Sequence, residues 1–327
     1  MPRGNWLPDQ ACVVCGAVGW ETALTIRRPE DATLRILEPS GTVQIARCRS
    51  CGMMMTHPLP PADRIADLYP AQTYPCYSEA TRNRGFKRWV LHRVMRVAST
   101  ACSEPRRHLT RLVFFPLLRR VGGVPTPQAT RRILDIGCGD GVFLEAVQAA
   151  GWEAVGVEMG QEPAAAARAR GLRVETGTVE TLSFPDVSFS AVRLWHVLEH
   201  VLDPAAALRR IRRWLIPGGE LILGIPNAGS LCARLFGPRW TAWELPRHLY
   251  HFTPKTVRRL LEQEGFTSVR VAYCSVGTGV SSLGMWWSRQ VWMRAMNLMG
   301  DMVLDLLRCG DSLEVRAIRP TDGGDSA

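Results

Sequence analysis

Two cysteine pairs stand near the start of this chain, Cys12-Val-Val-Cys15-Gly16 and Cys48-Arg-Ser-Cys51-Gly52. Two CxxC knuckles, each followed by glycine, supply four thiolates, the ligand set of a tetrahedral zinc ion. Four protein ligands close the shell, so such a zinc is structural rather than catalytic. The zinc-free alternative is four buried or redox-active cysteines; a redox pair needs only one CxxC, so zinc is favoured. A second set, His196-Val-Leu-Glu199-His200, spaces imidazole, carboxylate and imidazole at i, i+3 and i+4. On a helix those positions share a face, and that spacing can hold a divalent metal. The plainer reading, which we prefer, has His196 bordering a cofactor while Glu199 and His200 orient a loop. A third set lies in Trp243-Glu-Leu-Pro-Arg247-His248-Leu-Tyr250-His251-Phe252. His248 is the first candidate for a general base, because imidazole titrates near neutral pH. Tyr250 and His251 are alternatives. For each taken singly, a hydrogen bond within the loop explains the residue equally well.

The fourth set is Leu134-Asp135-Ile136-Gly137-Cys138-Gly139-Asp140-Gly141. An apolar strand enters a turn whose glycines let the backbone approach a ligand closely, just before a helix N-terminus. Taken alone, this fingerprint also suits a dinucleotide enzyme. Glu158 ends the next expected strand about 20 residues on, where a carboxylate can take both hydroxyls of a ribose.

These residues need elements to position them. From residue 131 to about 276, strand and helix patterns alternate. Strands are expected at Arg132-ILDIG, Ala154-VGVE, Leu172-RVE, Ala191-VRLW, Glu220-LILGIP and Ser268 to Cys274, with a last one at Ser312-LEVRAI. Helices are expected at Val142 to Ala150, Pro163 to Arg170, Pro204 to Leu215 (closed by Pro217-Gly218-Gly219) and Pro254 to Glu264, the last with Thr253 as N-cap. Such alternation argues for a parallel, doubly wound α/β sheet. Between the cysteine pairs, Thr33 to Ile36 and Thr42 to Ala46 read as short strands, and residues 58–81 as a proline-punctuated loop.

The net charge of +10 is concentrated. Residues 82–132 hold thirteen Lys/Arg against a single acid, Glu104. A local basic block of this kind suits phosphates, nucleic acid or acidic lipid. Residues 82–120 interleave these cations with apolar residues at helical spacing, and residues 281–309 carry Trp286, Trp287, Trp292 and five methionines, among them Met285, Met293, Met296 and Met299. The two stretches either pack as core or form an interfacial platform for an anionic membrane. The first residues lack the apolar stretch of a secretory signal, and no apolar run reaches the ~18 residues of a membrane-spanning helix. We therefore expect a cytoplasmic protein, with peripheral contact at the inner face of the membrane as an option, and cysteines mostly held as thiols.

The succession LDIGCGDG, VGVE, GTVETLSFPDVSF, WHVLEHVLDP and LIPGGELILGIPN resembles the class I S-adenosylmethionine-dependent methyltransferases over residues 131–276. The resemblance implies a Rossmann-like, seven-stranded, doubly wound sheet. It also implies that Gly137 and Gly139 wrap the methionine part of the cofactor, with Asp135 beneath near its amine and Glu158 on the ribose. Thr178 and Val179 would lie by the adenine, and Trp195 and His196 would close the pocket. The cysteine arrangement, with Cys51-Gly52-Met53 running into Pro58 and Pro60, resembles the zinc-ribbon head of methyltransferases in bacterial sugar and polysaccharide biosynthesis. Ubiquinone-pathway O-methyltransferases and small-RNA 2′-O-methyltransferases carry Glu-x-x-Glu-His at the place of the second set, and bind a divalent metal there; this chain has His196 for the first Glu. The organisation implied is a zinc-ribbon module over 1–57, a linker and basic helical segment over 58–130, and a methyltransferase domain over 131–318 with a helical insertion at 281–309. A disordered tail is expected over 319–327. The expected reaction is methyl transfer to oxygen, or less favoured carbon, of a small-molecule or lipid-linked sugar. Methylation of an RNA base ranks below it, since no Asn/Asp-Pro-Pro-Tyr-type motif follows the fourth strand. A cofactor-binding protein without chemistry ranks lowest.

Overall fold

The computed structural model describes residues 7–69, 123–275 and 303–321, apart from 29, 32, 39, 124 and 127. The basic segment 82–120, residues 281–302 of the Trp- and Met-rich stretch and residues 322–327 of the expected tail lie outside the described residues.

Seven strands form the central sheet: β4 (Arg132–Ile136), β5 (Glu153–Glu158), β6 (Arg173–Thr176), β7 (Phe189–Trp195), β8 (Leu215–Pro226), β10 (Thr267–Cys274) and β11 (Ser312–Ile318). Their order is β10-β11-β8-β7-β4-β5-β6. β4 pairs in parallel with β5 and β7, β5 with β6, and β7 with β8, while β11 runs antiparallel to both β8 and β10. This is the Rossmann-like methyltransferase sheet that the sequence leads one to expect. The chain winds outward from β4 to β6 and then returns to β7 on the other side of β4. That reversal opens a crevice at the carboxyl ends of β4 and β7, where open α/β sheets bind ligands.

The helices start where local chemistry starts them. In α4 (Pro204–Trp214), the Asp203 side chain accepts from the Ala206 N–H at 2.9 Å, and Pro204 pre-sets the first turn. In α6 (Pro254–Gln263), Thr253 and Thr256 exchange side-chain and backbone bonds as a capping box. Its inner face buries Val257, Leu260 and Leu261. Each contributes about 1.5–3 kcal/mol on leaving water; Leu260→Ala should cost about 2–5 kcal/mol. Helices α2 (Val142–Ala149) and α3 (Gln161–Arg168) follow the ends of β4 and β5. The Pro217-Gly218-Gly219 turn expected to close α4 is instead part of β8. Two backbone bonds explain this: Gly218 N–H to Arg319 O and Arg319 N–H to Gly219 O, both 2.9 Å, stitch the turn to the chain after β11.

The N-terminal residues form a second sheet, β1 (Trp20–Arg27), β2 (Thr42–Cys48) and β3 (Met54–His57), with β9 (Tyr250–His251) as its fourth strand. β9 comes from the loop after β8 and pairs antiparallel with β3, Met54 opposite His251 and Met55 opposite Tyr250. The four-cysteine module is therefore completed by the larger domain, and Cys12, Val14, Met53 and Met55 share one apolar core with Leu249 and Tyr250. Residues 33–36, expected as strand, begin the short helix α1 (Leu34–Leu37). The Asp31 carboxylate accepts from the Thr33 N–H at 2.9 Å and from the Leu34 N–H at 3.4 Å, caps the first turn and so favours helix over strand.

Candidate active site

The glycine turn sits at the crevice. Gly137 and Gly139 adopt φ +73° and +56°, the left-handed region that glycine enters without strain. The N–H groups of Gly137 and Cys138 both donate to Val157 O, at 2.8 and 3.0 Å, folding the turn over the end of β5. Glu158 caps that end. Its Oε2 accepts from Gly139 N–H at 2.8 Å and its Oε1 from Gly160 N–H at 2.7 Å. A Cβ on Gly137 would strike Val197 Cγ2, whereas one on Gly139 would meet nothing within 4 Å among the described residues. The space over Gly139 is thus open to a ligand, beside a buried carboxylate that can receive hydroxyl protons.

Asp135 lies directly opposite Arg193 on β7 and accepts from its Nη1 at 2.7 Å. Burial pushes the Asp135 carboxyl upward, against the pull of Arg193. Its Oδ2 is buried with no hydrogen-bond partner among the described residues. The Arg193 guanidinium lies 3.9 Å from the Phe143 ring centroid and 5.0 Å from that of Trp195. Sequence reading missed Arg193; the β4–β7 register, which no short motif reveals, sets it against Asp135. In the loop after β6, Thr178 makes a turn with Thr181, its N–H donating to Thr181 Oγ1 at 2.9 Å, and Val179 is buried. Trp195 ends β7 and lies flat over Gly224, where a Cβ would come within 2.5 Å of the ring. His196 turns sharply, with φ +54°, and donates its N–H to Gly224 O at 2.8 Å.

A cluster of histidines and acids forms beside this turn. His196, Glu199 and His200 do not share an α-helix: only Leu198–His200 makes a 3₁₀ turn, and His196 lies outside it. His196 Nδ1 nevertheless sits 3.2 Å from Glu199 Oε1. His248 Nε2 approaches Glu244 Oε2 at 3.4 Å and Glu199 Oε1 at 4.0 Å, and its ring lies 4.7 Å from that of His200. His248 Nδ1 faces the Ala242 carbonyl at 2.9 Å and His200 Nδ1 the Arg247 carbonyl at 3.0 Å. A carbonyl only accepts, so both Nδ1 atoms carry a proton; the Tyr69 hydroxyl also lies 2.9 Å from His200 Nδ1, and His248 Nε2 faces the two carboxylates. Burial alone would raise the Glu199 carboxyl, but the His196 hydrogen bond and the nearby His200 and His248 hold it down at about 2. Burial, reinforced by His248, lowers His200 to about 4. Glu199 Oε2 is buried without a hydrogen-bond partner among the described residues.

Two other candidates are drawn away from this cluster. Tyr250 is buried and donates its hydroxyl to Leu202 O at 3.0 Å; burial pushes its pKa upward. His251 Nε2 lies 3.0 Å from Thr56 Oγ1, and burial lowers its pKa to about 3. In the N-terminal module, Cys12 Sγ and Cys51 Sγ lie 3.5 Å apart, and Cys15 Sγ and Cys48 Sγ 3.6 Å. All four sulfurs fall within 4.8 Å of one another.

The sequence profile of a family described as a methyltransferase domain matches residues 104–271, just over half of the chain. The chain belongs to this methyltransferase-domain family. The chain is 33% identical over 133 residues to the ubiquinone biosynthesis O-methyltransferase of Xanthomonas oryzae pv. oryzae, covering 38% of this chain and 56% of that one. It is 41% identical over 107 residues to an uncharacterised 37.1 kDa protein of a Streptomyces fradiae transposon, covering 30% and 31%. The matches therefore span about half or less of these relatives' lengths. Among solved structures, a methyltransferase from Thermotoga maritima aligns with TM-score 0.48 and 19% identity, over 78% of this chain and 99% of that one.

S-adenosylmethionine fits: Gly139 leaves open space beside Glu158, at the point where the winding reverses. Four sulfurs at these separations could hold zinc, since tetrahedral Zn–S bonds of about 2.3 Å place sulfurs roughly 3.8 Å apart. Glu199, His200 and His248 bring ligand atoms within 4.8 Å of one another, and Glu199 Oε2 is an acceptor that no hydrogen-bond donor among the described residues meets. The spacing pointed to Glu199 and His200; that His248, 48 residues on, completes their set was not legible. Among the described residues, no helix is long and apolar enough to cross a membrane.

Proposed function

We propose that this protein transfers the methyl group of S-adenosylmethionine to a hydroxyl oxygen of a small-molecule or lipid-linked sugar. The observation that supports it best is His248, which presents its Nε2 to Glu199 and Glu244 from the loop after β8. S-adenosylmethionine supplies an electrophilic methyl on sulfur. In this reading Gly137, Gly139 and Glu158 seat the cofactor through backbone and ribose contacts, Thr178 and Val179 flank the adenine, and Trp195 and His196 close the pocket. Asp135, steadied by Arg193, lies beneath the amine. His248 takes the hydroxyl proton, and Glu244 stabilises the imidazolium that results. Lining up oxygen and methyl while excluding water supplies the rest of the rate.

A second reading of the same cluster follows from the orphaned Glu199 Oε2. Glu199, His200 and His248 would hold a divalent cation, whose charge would favour the ionised form of an acceptor hydroxyl. The likeness to a ubiquinone biosynthesis O-methyltransferase makes a hydroxyl on a ubiquinone precursor, for which a catechol stands in as probe, the rival acceptor under this reading. The deciding experiment uses methyl-labelled cofactor with nucleotide sugars, polyprenyl-linked sugars, a catechol and structured RNA, with and without Mn²⁺ after chelation. Label on the sugars supports our reading, and label on the catechol with a Mn²⁺ requirement supports the second. Label on RNA alone, or no binding of the cofactor at all, would overturn both.

A further inference from the structure

The four-cysteine module reaches into the site through β3. Thr56 is fully buried, and its Oγ1 lies 2.6 Å from the His248 carbonyl and 3.0 Å from His251 Nε2. A hydroxyl has one proton to give, and the carbonyl can only accept, so the Thr56 proton goes to His248 O. The contact with His251 then runs the other way: His251 Nε2–H donates to Thr56 Oγ1. The Thr56 N–H adds a bond to Leu249 O at 2.9 Å, and Leu249 N–H donates to Glu199 O at 2.8 Å. Residues 248–251 are thus held between β3 on one side and the 198–200 turn on the other. β3 itself begins at the second knuckle, where Cys48 N–H donates to Met53 O at 2.8 Å.

We propose that Thr56 is a positioning residue: it fixes His248 against Glu199, and makes the four-cysteine module a working wall of the active site. The proposal rests on the reading of His248 as a group at the reacting centre. One hydroxyl orients two imidazoles at once, through the His248 main chain and through the His251 ring. Both partners are buried, so no water can replace the hydroxyl without opening the β3–β9 pair.

The test uses the zinc-loaded full chain carrying Thr56→Val and, as conservative variant, Thr56→Ser. Histidine imidazole ¹⁵N spectra should show His251 as the Nε2–H tautomer in the wild type. In T56V the His248 and His251 signals should shift or broaden, and amide exchange at 249–252 should speed up tenfold or more. Exchange over 132–158 and affinity for S-adenosylhomocysteine should change less than twofold. T56S should restore the spectra. His248 signals unmoved in T56V, exchange speeding equally throughout the chain, or T56S behaving as T56V would each overturn the proposal. The underlying reading fails separately, if His248→Asn leaves methyl transfer to the best acceptor of the panel unchanged.

Discussion

Replacing Glu158 by Gln changes one oxygen into an NH₂ group and removes one charge. In the free protein both carboxylate oxygens accept glycine N–H bonds, at 2.8 and 2.7 Å. Gln can accept only one of them, and its NH₂ then points at the other N–H. One charge-assisted bond is lost, and such bonds contribute about 1.5–3 kcal/mol. For a fold of this size a loss of 1 kcal/mol lowers Tm by about 2–4 °C, so a fall of roughly 3–12 °C is expected. Binding loses a further increment, because one of the two ribose hydroxyls also faces a donor instead of a charged acceptor. At about 1.4 kcal/mol per tenfold, a loss of 1.5–3 kcal/mol weakens S-adenosylhomocysteine roughly 10- to 150-fold. Glu158→Ala should weaken it at least as much, with NAD bound by neither variant nor wild type. Calorimetric titration at a temperature where both proteins stay folded separates the two effects. A lowered Tm with unchanged affinity would refute the ribose assignment and leave Glu158 as a brace for the glycine turn.

Purified protein should hold about one zinc per chain at Cys12, Cys15, Cys48 and Cys51, checked by elemental analysis of material never exposed to chelator; metal-free yet folded protein would sink this. His251 is neutral in the fold, with its pKa lowered to about 3 by burial, against about 6.5 unfolded. The unfolded chain therefore takes up the proton first as pH falls. Stability from this group is complete above pH 6.5 and declines by about 1.4 kcal/mol per unit below it, roughly 2 kcal/mol by pH 5. Buried His200, lowered to about 4, adds a second contribution of the same sign in the same window, so thermal melts from pH 8 to 5 should steepen accordingly and His251→Asn should remove about half of the slope; an unchanged slope would place the titration elsewhere. We also propose that residues 82–120 and 281–309 contact anionic lipid. Leu306 and Leu307, within the described part of the second stretch, are exposed. Four or five arginines contributing about 1 kcal/mol each should carry the protein onto anionic vesicles, and high salt should release it; equal sedimentation with neutral vesicles would refute the electrostatic part.

Much of the larger domain was legible because its signals are local. Strand, glycine turn, helix and acid follow one another from Arg132 to Glu158 with nothing intervening, and Thr253-Pro254 announces α6 by cap chemistry alone. Where reading failed, a distant partner or an unrecognised cap decided the outcome. Asp31 turned an apparent strand at 33–36 into helix, and Arg319, a hundred residues downstream, drew the Pro-Gly-Gly turn into β8. The site divides the same way. Gly137, Gly139, Glu158, Glu199, His200 and His248 could each be picked out by residue type. That His248 joins Glu199 and His200 while His251 turns to Thr56 depends on a two-residue strand, too short for any periodicity to show.

The pairing of β3 with β9 also bears on how this chain is made. The cysteines lie within the first 51 residues, so a nascent chain can collect all four soon after they leave the ribosome. The sheet they support stays open at its β3 edge until Tyr250 and His251 emerge, almost two hundred residues later. At 5–20 residues per second that interval lasts roughly 10–40 s. For that time an unpaired strand edge with Met54 and Met55 is exposed, the kind of edge on which chains pair with one another. Early metal capture would stiffen the knuckles without covering this edge. Protection during synthesis would therefore have to come from speed of translation or from a chaperone, and a chain truncated before residue 250 should aggregate even when its cysteines are fully loaded.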